Sequence, residues 1–138
     1  MVIGPAGKLL DCKTASVIFP AHDGQVGVWR NHAPMFCELG LGIVQVKRLS
    51  SEIEKLEDMF LLVDGGFAVV CSNLLKVVSY DVVFPHEVKP EALEHIVFGL
   101  KKKVSVTTDL QERQHLSQKL AFLQQLQQLL PQAAKTNN

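Results

Sequence analysis

The chain is sparing with the residues that usually announce chemistry. It has three cysteines in 138 residues, Cys12, Cys37 and Cys71. They are too few and too scattered for a disulfide framework, and the odd count fits a reducing compartment. Each is expected as a small buried hydrophobe. Neither sign of charge is in excess, with Lys plus Arg and Asp plus Glu at 14 each. That balance argues against a bulk nucleic-acid binder or a protein that coats a membrane surface. No apolar run approaches the ~18 residues needed to span a bilayer. The start, MVIGPAGKLL, lacks a basic stretch followed by an apolar one, so no signal peptide is expected.

Catalytic signatures are missing as well. There is no Cys-x-x-Cys pair and no His-Glu-x-x-His helix for a metal. There is no Gly-x-Ser-x-Gly elbow and no phosphate loop ending in Lys-Ser or Lys-Thr. His22-Asp23 lacks the further His and Asp ligands of a metal hydrolase. The densest acidic run is EIEKLED, which has the composition of a solvated tip. No catalytic residue, metal ligand or cofactor is assigned.

What is present divides near Pro85. Hydrophobic residues make up 47% of the chain, and at this length roughly 68–70% of the unfolded surface can be buried. Before Pro85 the apolar residues alternate or run in short β-branched bursts. ASVIFP is a strand ended by Pro20. MFCELG places Met35, Cys37 and Leu39 on one face, and LGIVQVKR follows after a bend marked by Gly40 and Gly42. MFLLVDGGFAVVCSNLLKVVSYDVVF gives two or three strands, punctuated by Asp64-Gly65-Gly66 and Ser72-Asn73. FLLV and FAVV are apolar on both faces, which predicts strands held between two layers, in a sandwich or flattened barrel. SSEIEKLEDM is expected as an extended hairpin tip.

After Pro85 the period becomes helical. Pro90 suits a first helical turn, and Leu93, Ile96, Val97 and Leu100 share one face. Lys101, Lys102 and Lys103 favour the C-terminal end of the dipole, and VSVTTD breaks the pattern. Thr108 with Gln111 fits a capping box for a second helix. Leu116, Leu120, Phe122, Leu123, Leu126, Leu129 and Leu130 give that helix a wide apolar face, and Pro131 is expected to stop it. The spacing predicts helices over 90–103 and 109–130, packed as an αα-hairpin. The expected domains are 1–85 and 86–138. From Arg113 onward the chain has basic residues and no acidic ones, so Arg113 and Lys119 are candidates for meeting an acidic partner surface. A solvated face is an equal reading of that charge.

One stretch is written more specifically than loops usually are. FPAHDGQVGVWRNHAPMFCELGLGIVQVK, followed by FLLVDGGFAVVCSNLLKVVSYD, resembles the epsilon subunit of rotary F-type ATP synthases (delta in mitochondrial naming). The pattern is carried by Pro20, Gly24, Gly27, His32-Ala33-Pro34, Leu39, Gly42 and Gly65-Gly66-Phe67. It covers about Val2 to Val83 by motif, and the remainder by architecture alone.

The resemblance implies a ten-stranded β-sandwich followed by a two-helix hairpin. It implies a non-catalytic rotor-stalk subunit, peripheral to the cytoplasmic face of a bacterial inner membrane. Its partners would be the gamma subunit, the membrane ring and, through the helices, the catalytic head. Extended helices would restrain ATP hydrolysis. By resemblance, Asp23, Gly24 and Gln25 face the ring, while His32, Ala33, Pro34 and Met35 face gamma. Trp29 is expected half in the core and half in an interface. A bulky residue at Gly24 is expected to disturb ring attachment and not stability, provided that Gly24 does not require positive φ.

Departures from the family pattern are visible. The chain starts several residues late, Gln25 replaces a frequent Glu, and the tip LSSEIEKLED is longer. VKPEAL places Lys89 and Ala92 where some bacterial members have the Asp and Arg of an ATP-binding motif, so no nucleotide binding is expected. Two other readings stand beside this one: a free-standing adaptor with the same fold, and a small hydrolase with a site hidden from sequence.

Overall fold

A computed structural model describes residues 1–5, 7–21, 24–49, 56–84 and 90–136. It divides into two compact units, Met1–Val83 and Phe84–Asn138. The first holds eight strands: β1 (Val2–Gly4), β2 (Gly7–Leu10), β3 (Thr14–Ala21), β4 (Gly24–Trp29), β5 (Met35–Leu49), β6 (Leu56–Cys71), β7 (Leu74–Val78) and β8 (Val82–Val83). The second holds α1 (Pro90–Val106) and α2 (Leu110–Thr136).

The strands hydrogen-bond in the order β2-β1-β7-β6-β5-β3-β4, with β8 beside β6. β5 and β6 form the long central ribbon, antiparallel in one unbroken register from Met35↔Val70 to Leu49↔Leu56. Each end of that ribbon has its own neighbours. β7 pairs with Phe67–Cys71 of β6, β8 with Leu62 and Val63, and β3 with the later part of β5. The ribbon therefore serves two layers, as a sandwich requires. The sandwich and the two helices are the expected class. The described residues form eight strands, and MFCELG and LGIVQVKR, expected on either side of a bend, are one of them. The glycines at the bend are absorbed within it without breaking the register.

Gly65 and Gly66 mark the crossing point in β6. Both have positive φ, 78° and 121°. A Cβ on Gly66 would meet the Val78 carbonyl oxygen and come within 2.8 Å of the Ser79 Cα. The missing side chain lets β7 run close against β6 there. Buried Ser79 secures the contact: its hydroxyl donates to the Gly65 carbonyl at 2.6 Å, and its N–H donates to the Ile3 carbonyl at 3.0 Å.

The core follows the two-residue period of the strands. Val17 and Phe19 on β3, Val28 on β4, Val44 and Val46 on β5, Leu61, Val63, Ala68 and Val70 on β6, and Val77 on β7 are all buried. FLLV is covered on both faces, since Leu62 is buried beside Leu61 and Val63. FAVV departs from expectation: Ala68 and Val70 are buried, but Phe67 and Val69 are exposed.

In the helical unit, Leu93, Val97 and Leu100 of α1 and Leu123 and Leu126 of α2 are buried; Ile96 is exposed. α1 continues through Val106 because its last carbonyls find partners. The Ser105 hydroxyl donates to the Lys102 carbonyl at 2.7 Å, and the Thr107 N–H to the Lys103 carbonyl at 2.9 Å. α2 is capped by Asp109, not Thr108: its Oδ1 accepts the Gln111 N–H at 3.0 Å, the usual N-cap bond. Pro131 does not stop α2, which runs to Thr136. Proline's φ is already helical, and its cost is one missing backbone bond and local crowding.

Of the expected tip SSEIEKLEDM, residues 50–55 lie outside the described residues, while Leu56 to Met59 already belong to β6 and Leu56 pairs with Leu49. The cysteines are less buried than expected: Cys12 and Cys37 are intermediate and Cys71 is exposed. Cys71 occupies an outward position at the end of β6, next to the turn into β7.

Candidate functional site: an edge strand with two ends and an apolar outer face

β4 is the edge strand of its layer, and the two candidate contact segments lie at its opposite ends, roughly 17 Å apart at strand rise. At the first end, Ala21 pairs with Gly24 and Pro20 with Gln25. Asp23, between them, lies outside the described residues. Gly24 and Gln25 are exposed. Gly24 has φ of 132°, so every side chain placed there is strained, however open the space. The condition set for a stability-neutral bulky residue at Gly24 is therefore not met: the backbone, and not packing, demands glycine.

At the second end, Trp29 is 60% exposed. Its ring lies over Gly27, where a Cβ would sit 2.5 Å from the indole carbons. Trp29 thus covers its own strand from outside and is a surface residue, not half core. The chain then turns: the His32 N–H donates to the Trp29 carbonyl at 3.3 Å, with Asn31 at φ of 64°. The His32 Nδ1 lies 2.7 Å from the Ala33 carbonyl. A carbonyl only accepts, so this contact puts the hydrogen on Nδ1 and leaves Nε2 as the ring's other bonding atom. Ala33 and Pro34 are exposed, and His32 and Met35 half-buried.

Beyond Met35 the segment enters β5 and joins a feature that sequence reasoning missed. Phe36 is 67% exposed and Phe67 39%. Their rings stack with centroids 5.4 Å apart. Register sets Phe36 opposite Val69, Phe67 opposite Val78 and Cys71 opposite Leu74, and Val69, Val78 and Leu74 are exposed too. Outer sheet faces normally carry polar residues. A run of adjacent apolar side chains on one is the mark of an interaction surface. The signal was present in FAVV, but apolarity on both faces suggests enclosure before it suggests a partner.

The open end of the sandwich forms a cleft of about 1050 Å3, with Val17, Val28, Val44 and Val46 on its walls and Asp11, Lys13 and Arg30 among its polar residues. Cys12 also lines it. Burial pushes the Cys12 thiol up, against the opposing effect of Arg48, which disfavours the thiolate that nucleophilic chemistry requires. Among the described residues no group of three or more His, Cys, Asp or Glu could hold a metal ion, and no helix is long and apolar enough to cross a membrane.

In α2, Arg113 is exposed and Lys119 half-buried. Six residues apart, they point about 120° from one another around the helix. The two do not form one patch. Ala92 is exposed on α1, while Lys89 lies outside the described residues.

The profile of one family, "ATP synthase, Delta/Epsilon chain, beta-sandwich domain", matches residues 1–85. The chain belongs to this ATP synthase delta/epsilon family. Relatives span nearly its whole length. It is 27% identical to the chloroplastic ATP synthase epsilon chain of Cyanidioschyzon merolae over 131 residues, covering 89% of this chain and 92% of the relative. It is 31% identical to the ATP synthase epsilon chain of a Synechococcus species over 112 residues, covering 81% and 77%. A chain in the central stalk and c-ring structure of Tetrahymena thermophila mitochondrial ATP synthase shares the fold, with a TM-score of 0.64, 11% identity, and 91% and 92% of the two chains covered. As a member of the delta/epsilon family, the chain carries its sandwich in the matched segment, and the apolar outer face lies within it.

Proposed function

We propose that this delta/epsilon-family chain is a non-catalytic subunit of the central stalk of an F-type ATP synthase. It couples the gamma subunit to the membrane ring, and its C-terminal helices restrain ATP hydrolysis at the head. Residues 1–85 form the coupling domain and 86–138 the regulatory hairpin. The subunit is peripheral to the cytoplasmic face of a bacterial inner membrane. Asp23, Gly24 and Gln25 meet the polar loops of the ring, and Arg113 and Lys119 act separately on the regulatory helix.

The observation that carries the reading is the apolar outer face. Phe36, Phe67, Val69, Leu74 and Val78 are exposed on paired strands, directly continuous with the His32–Met35 segment. Such a face is costly to leave in water, at about 25 cal/mol for each Å2 of apolar surface, and a permanent gamma partner removes that cost. His32, Ala33, Pro34 and Met35 form the margin of that contact. No nucleotide, metal or other cofactor has a role in it.

The test is reconstitution with purified gamma, ring and catalytic head. The whole chain is expected to bind gamma and to lower ATP hydrolysis. A chain cut after His86 is expected to keep gamma binding and lose the restraint. Phe36→Ser is expected to weaken gamma binding at least tenfold. A whole chain that ignores gamma would leave the free-standing adaptor as the better reading.

A further inference from the structure

The gamma-facing segment is tied to a turn far away in sequence. The β6–β7 hairpin is closed by Ser72 and Asn73, at φ of 51° and 61°, the two consecutive positive values of a type I′ turn. Asn31, in the turn that leaves β4, also has positive φ, at 64°. The two asparagines face each other reciprocally. The Asn31 N–H donates to the Asn73 Oδ1 at 2.7 Å, and the Asn73 Nδ2 donates to the Asn31 Oδ1 at 3.2 Å. The contact joins residues 42 positions apart, one in each layer of the sandwich. It lies immediately before His32 on one side and immediately before exposed Leu74 on the other.

We propose that Asn31 and Asn73 form a latch that holds His32–Met35 in register with the apolar face, so that segment and face meet gamma as one surface. Asn73 is a positioning residue: it acts through Asn31. This rests on the gamma-docking reading above. Asparagine suits the task at both positions because it tolerates the left-handed backbone and carries a donor and an acceptor on one short amide. Both groups are solvent-exposed, so the latch adds little to overall stability. Its effect lies in the fraction of molecules whose segment is ready to bind, and apparent affinity scales directly with that fraction.

Glycine at either position keeps the positive φ, so neither turn is broken: Asn73→Gly removes both bonds of the latch, whereas Asn31→Gly removes the Asn73 Nδ2 donation and keeps its own backbone N–H on the Asn73 Oδ1. Asn73→Gly is expected to weaken binding to purified gamma roughly tenfold and to speed amide hydrogen exchange at His32, Ala33 and Met35, with little change in melting temperature; Asn31→Gly, which keeps the shorter bond, is expected to do both to a smaller degree. The double variant is expected to lose no more than Asn73→Gly alone, because that substitution already removes both bonds. Asn73→Asp retains the acceptor for the Asn31 N–H and is expected to recover part of the binding. Unchanged gamma affinity in Asn73→Gly, or losses that simply add in the double variant, would overturn the latch. If the unaltered chain does not bind gamma, the functional reading fails. The exchange measurement then decides the latch alone, and exchange in Asn73→Gly equal to that of the unaltered chain overturns it.

Discussion

The β unit closes over very long sequence separations. The Met1 amino group donates to the Leu75 carbonyl 74 residues away, at 2.9 Å, β1 pairs in parallel with β7, and wholly buried Phe19 sits in the resulting core. The helical unit is local by contrast. α1 and α2 are joined by Thr107–Asp109, and Phe84, Leu93, Val97, Leu100, Leu123 and Leu126 are the buried apolar residues of this unit among those described. Long-range pairing makes a structure cooperative and slow to form, since loop closure must precede the contacts that reward it. A two-helix hairpin with few buried residues forms quickly and opens at lower free energy.

The difference can be broken by experiment. Phe19→Ala should cost about 3–5 kcal/mol, seen as early thermal loss of protection across β3 to β6 by hydrogen-exchange mass spectrometry, with the helices retained. If the helices melt in step, the chain is one cooperative body. Leu123→Ala should cost about 2–5 kcal/mol, confined to the helical unit. Loss of β-sheet protection in that variant would contradict the division.

Two smaller effects sharpen the picture within the β unit. Gly66→Ala should destabilise by about 1–3 kcal/mol through backbone strain alone, with a further cost from contact with the Val78 and Ser79 backbone. Gly65→Ala meets nothing within 4 Å and should cost only the left-handed conformation, about 1–2 kcal/mol. Urea midpoints for the pair would measure the gap, and equal values would mean that close approach of β7 does not matter. Phe36→Ser should change folding stability least, within about 0.5 kcal/mol, while losing gamma binding. A parallel fall in melting temperature would make Phe36 a core residue.

Much of this was legible in the residues themselves. The change from a two-residue to a 3.6-residue period located the strands and helices, and the glycine-histidine-proline pattern identified the family. Less was legible where several local answers were equally good. Thr108 and Asp109 are both good caps, and the chain used the second. Pro131 usually ends a helix, yet the backbone accommodates it. Whether Gly24 is replaceable depends on its φ, and only the structure gives that angle. Asp23 falls outside the described residues, so its role rests on resemblance.

Sequence alone determined the two-part organisation and the alternation that buries Val17, Val44, Leu61 and Val77, because period and side-chain polarity act within a few residues. Tertiary structure decided which of two apolar faces is left in water at Phe36, Phe67 and Val69, and that Asn31 meets Asn73 across 42 positions. Both depend on which strand lies beside which and on how the ribbon crosses from one layer to the other. No local pattern carries that information, since a strand with two apolar faces is equally consistent with being covered on one side or on both.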